Sequence, residues 1–542
     1  MKAGDLSKAE TELQKAVKLS PRNADAQLAL GKVLLHQGDA GGAAMHLLAA
    51  INARPDLAEA HFYLGQILSL QGEWEQAISQ LNEASKLAPE DANPHRALAR
   101  AYNAQTKMAE AIAEATKAVE VAPKSPETHD ELGTLLAQNG QFTEASRHFS
   151  DALQLDQNYE LAHFHLGVAY LTSGNKADAQ KELSTATRLN PKDGRAFYYL
   201  GDTYQAMGDK DAAIAAYQQA AELLPDSPEV HTKLGLALQR TTDMDGAAKA
   251  FRRVIELKPN DPEAHNNLGL VLMQRGEGEA AVKEFQKALE LKPEDTGIRG
   301  NLGIAYLQLS DFEAAEKQLR EALKASPESA SLHYDLALAL KLKDDLPAAM
   351  AEMNKAIELD PGLVDVYYTY GITLWQQGEF PEAVKKLQKA IEIKPDYAEA
   401  YYTLGTVLKQ MNQFPEAAAA LRQAIRLQPT FAGAHTTLAA VLRQMGDTQQ
   451  AEAESQLGDT LVKQKIGQQG ATFATNSGKK MLDAGDLDGA ISQFRSAIKL
   501  SPDFAPAHYQ LSVALSRKGD RQEAEAELKR AAELDPKLAA RP

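Results

Sequence analysis

The sequence predicts an all-α fold, an α-solenoid of stacked helical hairpins, and three observations predict it. One 34-residue skeleton returns throughout the 542 residues, most plainly in residues 262 to 295, PEAHNNLGLVLMQRGEGEAAVKEFQKALELKPED. Each copy holds two apolar stretches of helical period separated by a turn residue. Small residues recur at fixed places in both stretches. Self-similarity at a fixed period of this length marks a stacked array. Such an array grows along one dimension and each unit buries surface only against its neighbours, so the length does not require several globular cores.

The first helix of a unit runs up to a turn residue such as Gly276. Glycine fills that place in Gly38, Gly72, Gly140, Gly174, Gly208, Gly276, Gly378, Gly446, Gly485 and Gly519, and Asn412, Asp344, Ser310, Thr106 or Thr242 fills it elsewhere. A helix end wants one left-handed residue there, which Gly or Asn supplies at least cost. The second helix starts near Glu279 and stops before Pro293, because proline cannot continue a helix and biases its predecessor away from helical angles. Inside the first helix a Leu-Gly pair recurs, as at Gly31, Gly65, Gly269 and Gly405, and alanine follows twelve positions later, as at Ala43, Ala77, Ala281 and Ala417. Glycine within a helix costs about 1 kcal/mol against alanine, and close helix–helix approach is the expected compensation. Leucine at Ala281 is expected to wedge the pair apart at a cost of about 1–3 kcal/mol.

The Leu-Gly, Ala, Phe/Leu/Tyr, Ala and Pro pattern resembles the tetratricopeptide repeat family, over residues 24 to 538. It is similar in particular to the long superhelical arrays of O-GlcNAc transferase-type proteins, without a catalytic domain. The resemblance implies a right-handed superhelix of about fifteen repeats plus an N-terminal half repeat.

In chain order, residues 1–23 carry only the second-helix signature (Ala9, Leu13, Ala16, Pro21) and are expected to be a half repeat acting as a cap helix, or the end of a longer chain cut short. Thirteen contiguous units span 24–465, closed by prolines from Pro55 to Pro429, with Gln157 and Lys463 as exceptions. Gln157 is expected to lengthen one helix. The frame breaks once, with five extra residues (466–470), and the absence of proline between Thr448 and Thr472 predicts a lengthened second helix bending near Gly467 and Gly470. This junction is the expected subarray boundary or hinge. Two more units span 471–538, and a tail of residues 539–542 follows.

Composition narrows the function. The net charge is −16, from 58 basic and 74 acidic residues, and an acidic surface repels phosphate backbones, so no nucleic-acid partner is expected. With no cysteine there is no disulfide, thiolate metal site or cysteine nucleophile. No apolar run approaches the roughly 20 residues of a membrane helix. The N-terminus has no signal-peptide core, which makes a cytoplasmic location the default and leaves a periplasmic one open if residues precede Met1. No HExxH or GxSxG pattern occurs, and TNSGKK (475–480) lacks the first glycine and the preceding strand of a phosphate loop. No enzyme activity, cofactor or metal is expected.

Nine of the thirteen histidines, among them His61, His129, His163, His265 and His508, share the fourth position of a unit. Metal ligands must converge within about 2 Å of one ion. Residues one repeat apart sit on successive hairpins whose axes are roughly 8–10 Å apart, so these histidines are expected to pack rather than ligate. Tyr367, Tyr370 and Tyr401 are expected in the core. The resemblance implies that fifth and twelfth positions face the concave groove, where units ten to twelve place Tyr334, Tyr368 and Tyr402 with Lys341, Trp375 and Lys409, and Gln376 and Gln410 alongside. Rigid rings with polar tips anchor interfaces, and the lysines suit an acidic peptide or a C-terminal carboxylate. The alternative is that the tyrosines only bridge adjacent hairpins.

Neither of two specialised family grooves matches. No three successive units carry the Lys/Asn, Asn and Lys/Arg set of a chaperone-binding carboxylate clamp. Asparagine holds the sixth position only at Asn267, Asn301 and Asn476, so the asparagine ladder is absent. The expected function is a non-catalytic scaffold docking an extended or helical segment of a partner protein or peptide in the groove. An adaptor or regulatory subunit of a bacterial envelope or secretion assembly, and a peptide or small-ligand sensor, are the alternatives.

Overall fold

The computed structural model describes residues 3–538, and the 539–542 tail lies outside them. Thirty α-helices and one short 3-10 turn (Pro536–Leu538), with no strand, make up the described residues. The chain divides into two compact units, Met1–Pro293 and Glu294–Pro542. The division falls at a regular repeat boundary, and the 448–475 junction is internal to the second unit.

The hairpin 262–291 explains the rest of the first unit. Asp261 caps the first helix, Pro262–Gln274, by accepting from the amides of Glu263 (3.0 Å) and Ala264 (3.2 Å), and Pro262 occupies a first-turn place that needs no amide hydrogen. Gly276 turns the chain at φ 77°, and the second helix, Gly278–Leu291, ends on the non-helical Lys292 just before Pro293. A Cβ built on Gly269 would stand 2.6 Å from Cε1 of Phe285, which is fully buried. The glycine therefore makes room for the side chain sixteen positions on, and in other hairpins also abuts the carbonyl of the alanine twelve on, as Gly65 does with Ala77 at 3.2 Å. Gly133 meets Phe149, Gly201 meets Tyr217 and Gly235 meets Phe251 in the same way. Where alanine fills the slot at Ala99 and Ala439, the residue sixteen on is the small Ala115 or Ser455, so slot and partner exchange volume, whereas Ala337 faces the unbranched Met353.

All fifteen turn residues named from the sequence have positive φ, including the β-branched Thr106 (59°) and Thr242 (65°). Glycine would be unstrained at both. The expected lengthening at Gln157 does not occur. Helix Phe142–Leu155 keeps its 14 residues and ends on the extended Asp156, whose Oδ1 accepts from the Asn158 amide at 2.9 Å. An aspartate turn stops the helix where proline does elsewhere.

In the second unit the same hairpins run to Gln444. Helix Thr448–Asp483 then continues for 36 residues as the second helix of one hairpin and the first of the next. Gly467 and Gly470 lie within it, against the Leu500 carbonyl and side chain. Gly478, from the false phosphate motif, packs on Phe494 as a seam glycine. Of the three expected core tyrosines, Tyr367 and Tyr370 are buried, whereas Tyr401 is half-buried and packs at the edge of the core.

Candidate functional site

The fourth-position histidines close the hairpins. His265 Nε2 donates to the Pro259 carbonyl (3.2 Å) and Nδ1 meets Glu284 (2.7 Å), nineteen positions on in the second helix. His333 with Glu352, His435 with Glu454 and His508 with Glu527 repeat both contacts, at 2.5 Å to each carboxylate. His95 and His163 meet Glu114 and Glu182 at 2.6 Å. The bond to Glu182, with the Gln157 carbonyl, outweighs burial and raises His163 above its ordinary value, and His163 in turn holds Glu182 low. These rings are structural, as their spacing implies. One hairpin differs: His129 Nδ1 faces His148 Nδ1 at 3.2 Å with Asp151 beside them.

The eight residues singled out in units ten to twelve occupy first helices Ala330–Leu342, Val364–Gln376 and Ala398–Gln410. First helices of successive hairpins touch directly here, Val364–Gln376 on Ala398–Gln410 and the latter on Ala432–Gln444, and Ala330–Leu342 joins them through Tyr334 and Thr369, so their side chains share one face. Tyr334, Tyr368 and Tyr402 are half-buried on it. The Tyr334 hydroxyl bonds Thr369 (2.9 Å) and that of Tyr368 reaches Thr403 (3.5 Å), each in the next unit. The Tyr368 ring lies 5.0 Å from Tyr397, and the Tyr402 ring 4.7 Å from Phe431. Trp375 Nε1 donates to Gln410 Oε1 at 2.6 Å, while Gln376 is exposed. The rings thus bridge adjacent hairpins and still present partly open edges.

The charges of this face are less settled. Lys343 is held by Glu316 at 2.8 Å, but Lys341 and Lys409, both half-buried, have no carboxylate partner among the described residues. Burial alone pushes the Lys341 ammonium below its ordinary value, and burial alone pushes the Asp335 carboxyl up to about 6. An uncompensated, partly desolvated charge is a place where an opposite charge gains most.

One feature of the first unit escaped the sequence reading. Leu35, Leu70, Trp74, Ala97 and Ala101, with Arg100, line an open apolar cleft of about 460 Å³, a size that suits a side-chain anchor. No helix of the described residues is long and apolar enough to cross a membrane.

Models of tetratricopeptide repeats match residues 1–58, 34–101, 136–200, 301–364, 373–412, 398–431 and 481–541. A model described as the cytochrome c-type biogenesis protein H TPR domain matches residues 182–299. No curated protein matches the chain. Among solved structures, MamA is 31% identical over 30% of this chain and 95% of its own, with a TM-score of 0.29. YrrB, a TPR protein with an unusual peptide-binding site, is 24% identical over 33% of this chain and 92% of its own, at 0.31. Yeast Tom70 is 17% identical over 89% of this chain and 99% of its own, at 0.37. With these family matches set beside the repeated hairpin, the chain belongs to the tetratricopeptide repeat family and is a protein–protein interaction scaffold.

Proposed function

We propose that the scaffold is non-catalytic and that it docks an extended or helical segment of a partner, carrying an acidic side chain or a C-terminal carboxylate, on the first-helix face of units ten to twelve. The observation that supports this most is Lys341, half-buried and without a carboxylate partner among the described residues, with Lys409 two units along likewise half-buried and without one. Tyr334, Tyr368, Tyr402 and Trp375 supply rigid apolar edges beside them, and Gln376 and Gln410 supply amides for an extended backbone. Because the Tyr334 hydroxyl and the Trp375 indole N–H are already tied to neighbouring hairpins, the face is ordered before a partner arrives, which limits the entropy lost on docking.

Selection of peptides from a random displayed library on the full chain tests the reading. Retained sequences are expected to share an acid next to apolar residues, and to lose retention on the Lys341→Glu/Lys409→Glu variant. Equal retention by both proteins, or selected peptides without an acid, contradicts it. A second reading, an adaptor within a larger assembly, draws support from the match of residues 182–299 to the cytochrome c-type biogenesis protein H TPR domain. A partner bound through 182–299, and kept by the double-glutamate variant, would favour it.

A further inference from the structure

The histidine column contains its own control. In six hairpins the residue nineteen positions after the histidine is a glutamate, in the pairs 95/114, 163/182, 265/284, 333/352, 435/454 and 508/527. Three residues further on, those hairpins carry Lys117, Thr185, Lys287, Lys355, Leu457 and Arg530, and none of these is an acid. Hairpin 126–155 departs at both places. His148 stands where the six have glutamate, and Asp151 stands where they have a cation or a neutral residue. Both lie on helix Phe142–Leu155, one turn apart and therefore on one face, opposite His129 of helix Pro126–Gln138.

We propose that His129 Nδ1, His148 Nδ1 and an Asp151 carboxylate oxygen form a binding site for a divalent transition-metal ion of the zinc class. The two ring nitrogens are 3.2 Å apart and Asp151 Oδ2 is 3.9 Å from that of His129. All three ligand atoms lie within 4.8 Å of one another. Tetrahedral zinc with bonds of roughly 2.0–2.1 Å sets its ligand atoms about 3.3 Å apart. The imidazoles already stand at that spacing, and the carboxylate needs only a small rotamer adjustment.

The surroundings suit ligation. His129 Nε2 approaches the Pro123 carbonyl at 3.2 Å, and a carbonyl only accepts, so the ring hydrogen sits on Nε2. The Nδ1 lone pair is thereby left pointing at His148, the arrangement by which a carbonyl orients a metal-ligating histidine. Two imidazoles and one carboxylate favour zinc or its neighbours over magnesium or calcium, which prefer all-oxygen sets. The His129 side chain is 11% exposed and that of Asp151 is 33% exposed. The carboxylate side therefore opens to solvent, giving an entry path and room for a water as fourth ligand. A metal here would clamp the two helices of the hairpin, as the His–Glu pair does elsewhere. It departs from the sequence expectation of no metal because that expectation compared histidines along the column and not across the hairpin.

Zinc uptake by the metal-stripped full chain, measured in competition with a chromophoric chelator, tests the site. The wild type is expected to take up one tight equivalent, with slowed amide exchange in residues 126–155. His148→Gln installs the pair that His61 forms with Gln80 in hairpin 58–87, so it is expected to fold normally and, with the ring nitrogen at 148 gone and no carboxylate in its place, to lose that equivalent. Asp151→Asn, on the open side, is expected to weaken uptake without disturbing the helices, and decides the question should His148→Gln alter folding. No tight equivalent in the wild type would leave the 3.2 Å contact as an N–H···N bond between neutral rings and overturn the proposal. Undiminished uptake by both variants would overturn it too.

Discussion

The seam inside each hairpin and the first-helix face of residues 330–410 use their side chains in opposite ways. At the seam of hairpin 262–291 groups are matched: Gly269 leaves the space that Phe285 fills, and His265 has a partner on each ring nitrogen. On the face, rings are tied to neighbours, yet Lys341 and Lys409 have no carboxylate partner among the described residues and Asp335 is held toward its neutral form by burial alone. The seam recurs because every hairpin must solve the same packing problem. The face varies because nothing in stacking dictates it. Recurrent residues therefore report stability in this chain, and the departures from recurrence point to recognition.

The largest expected effect strikes the seam. Phe285→Ala leaves a cavity beside Gly269 and should cost about 3–5 kcal/mol. In a repeat array that loss is local, so it should appear as accelerated amide exchange across 262–291 rather than as one global transition. Unchanged protection there would show that neighbouring hairpins, not the seam, hold the unit.

A smaller effect separates matched from unmatched charge. The His163 value is raised in the fold, so its stabilising contribution is complete below the ordinary 6.5 and is lost as pH rises through the raised value. The Glu182 value is depressed, so its contribution is complete above the ordinary 4.5 and is lost as pH falls through the depressed one. Protection of hairpin 160–189 should therefore be greatest between about 4.5 and 6.5, and His163→Gln should flatten the alkaline side of that profile. A profile that His163→Gln leaves unaltered would remove the pair from the stabilising contacts. The smallest effect concerns the turn. Thr242→Gly relieves a β-branched residue at φ 65° and should stabilise its hairpin by roughly 1 kcal/mol, read from chemical-denaturation midpoints. A destabilised variant would show that the threonine makes a compensating contact.

The same contrast explains what the sequence made legible. Hairpins, turn residues and seam glycines could be read because each is a local demand repeated at one period. All five non-glycine turn residues were found from register alone, whereas Gln157 misled because the Asp156 turn replaces a proline by a different chemistry. Tyr334, Tyr368 and Trp375 could be placed on the first helices, but not their bonds to Thr369, Thr403 and Gln410. Those bonds depend on the 35-residue offset between neighbouring units, which stacking geometry sets. His148 was overlooked for a related reason. Its meaning lies in the substitution for glutamate nineteen positions after His129, a comparison that requires knowing which residues meet across the seam.

The most direct test of this division is to measure affinity and stability together on the Lys341→Glu/Lys409→Glu variant, using a peptide selected by the wild-type chain. Affinity is expected to fall by at least about ten-fold, a change of roughly 1.4 kcal/mol, while amide protection across 330–410 stays as in the wild type. Retained affinity with lost protection would contradict the account, because the lysines would then belong to the seam's work and not to recognition.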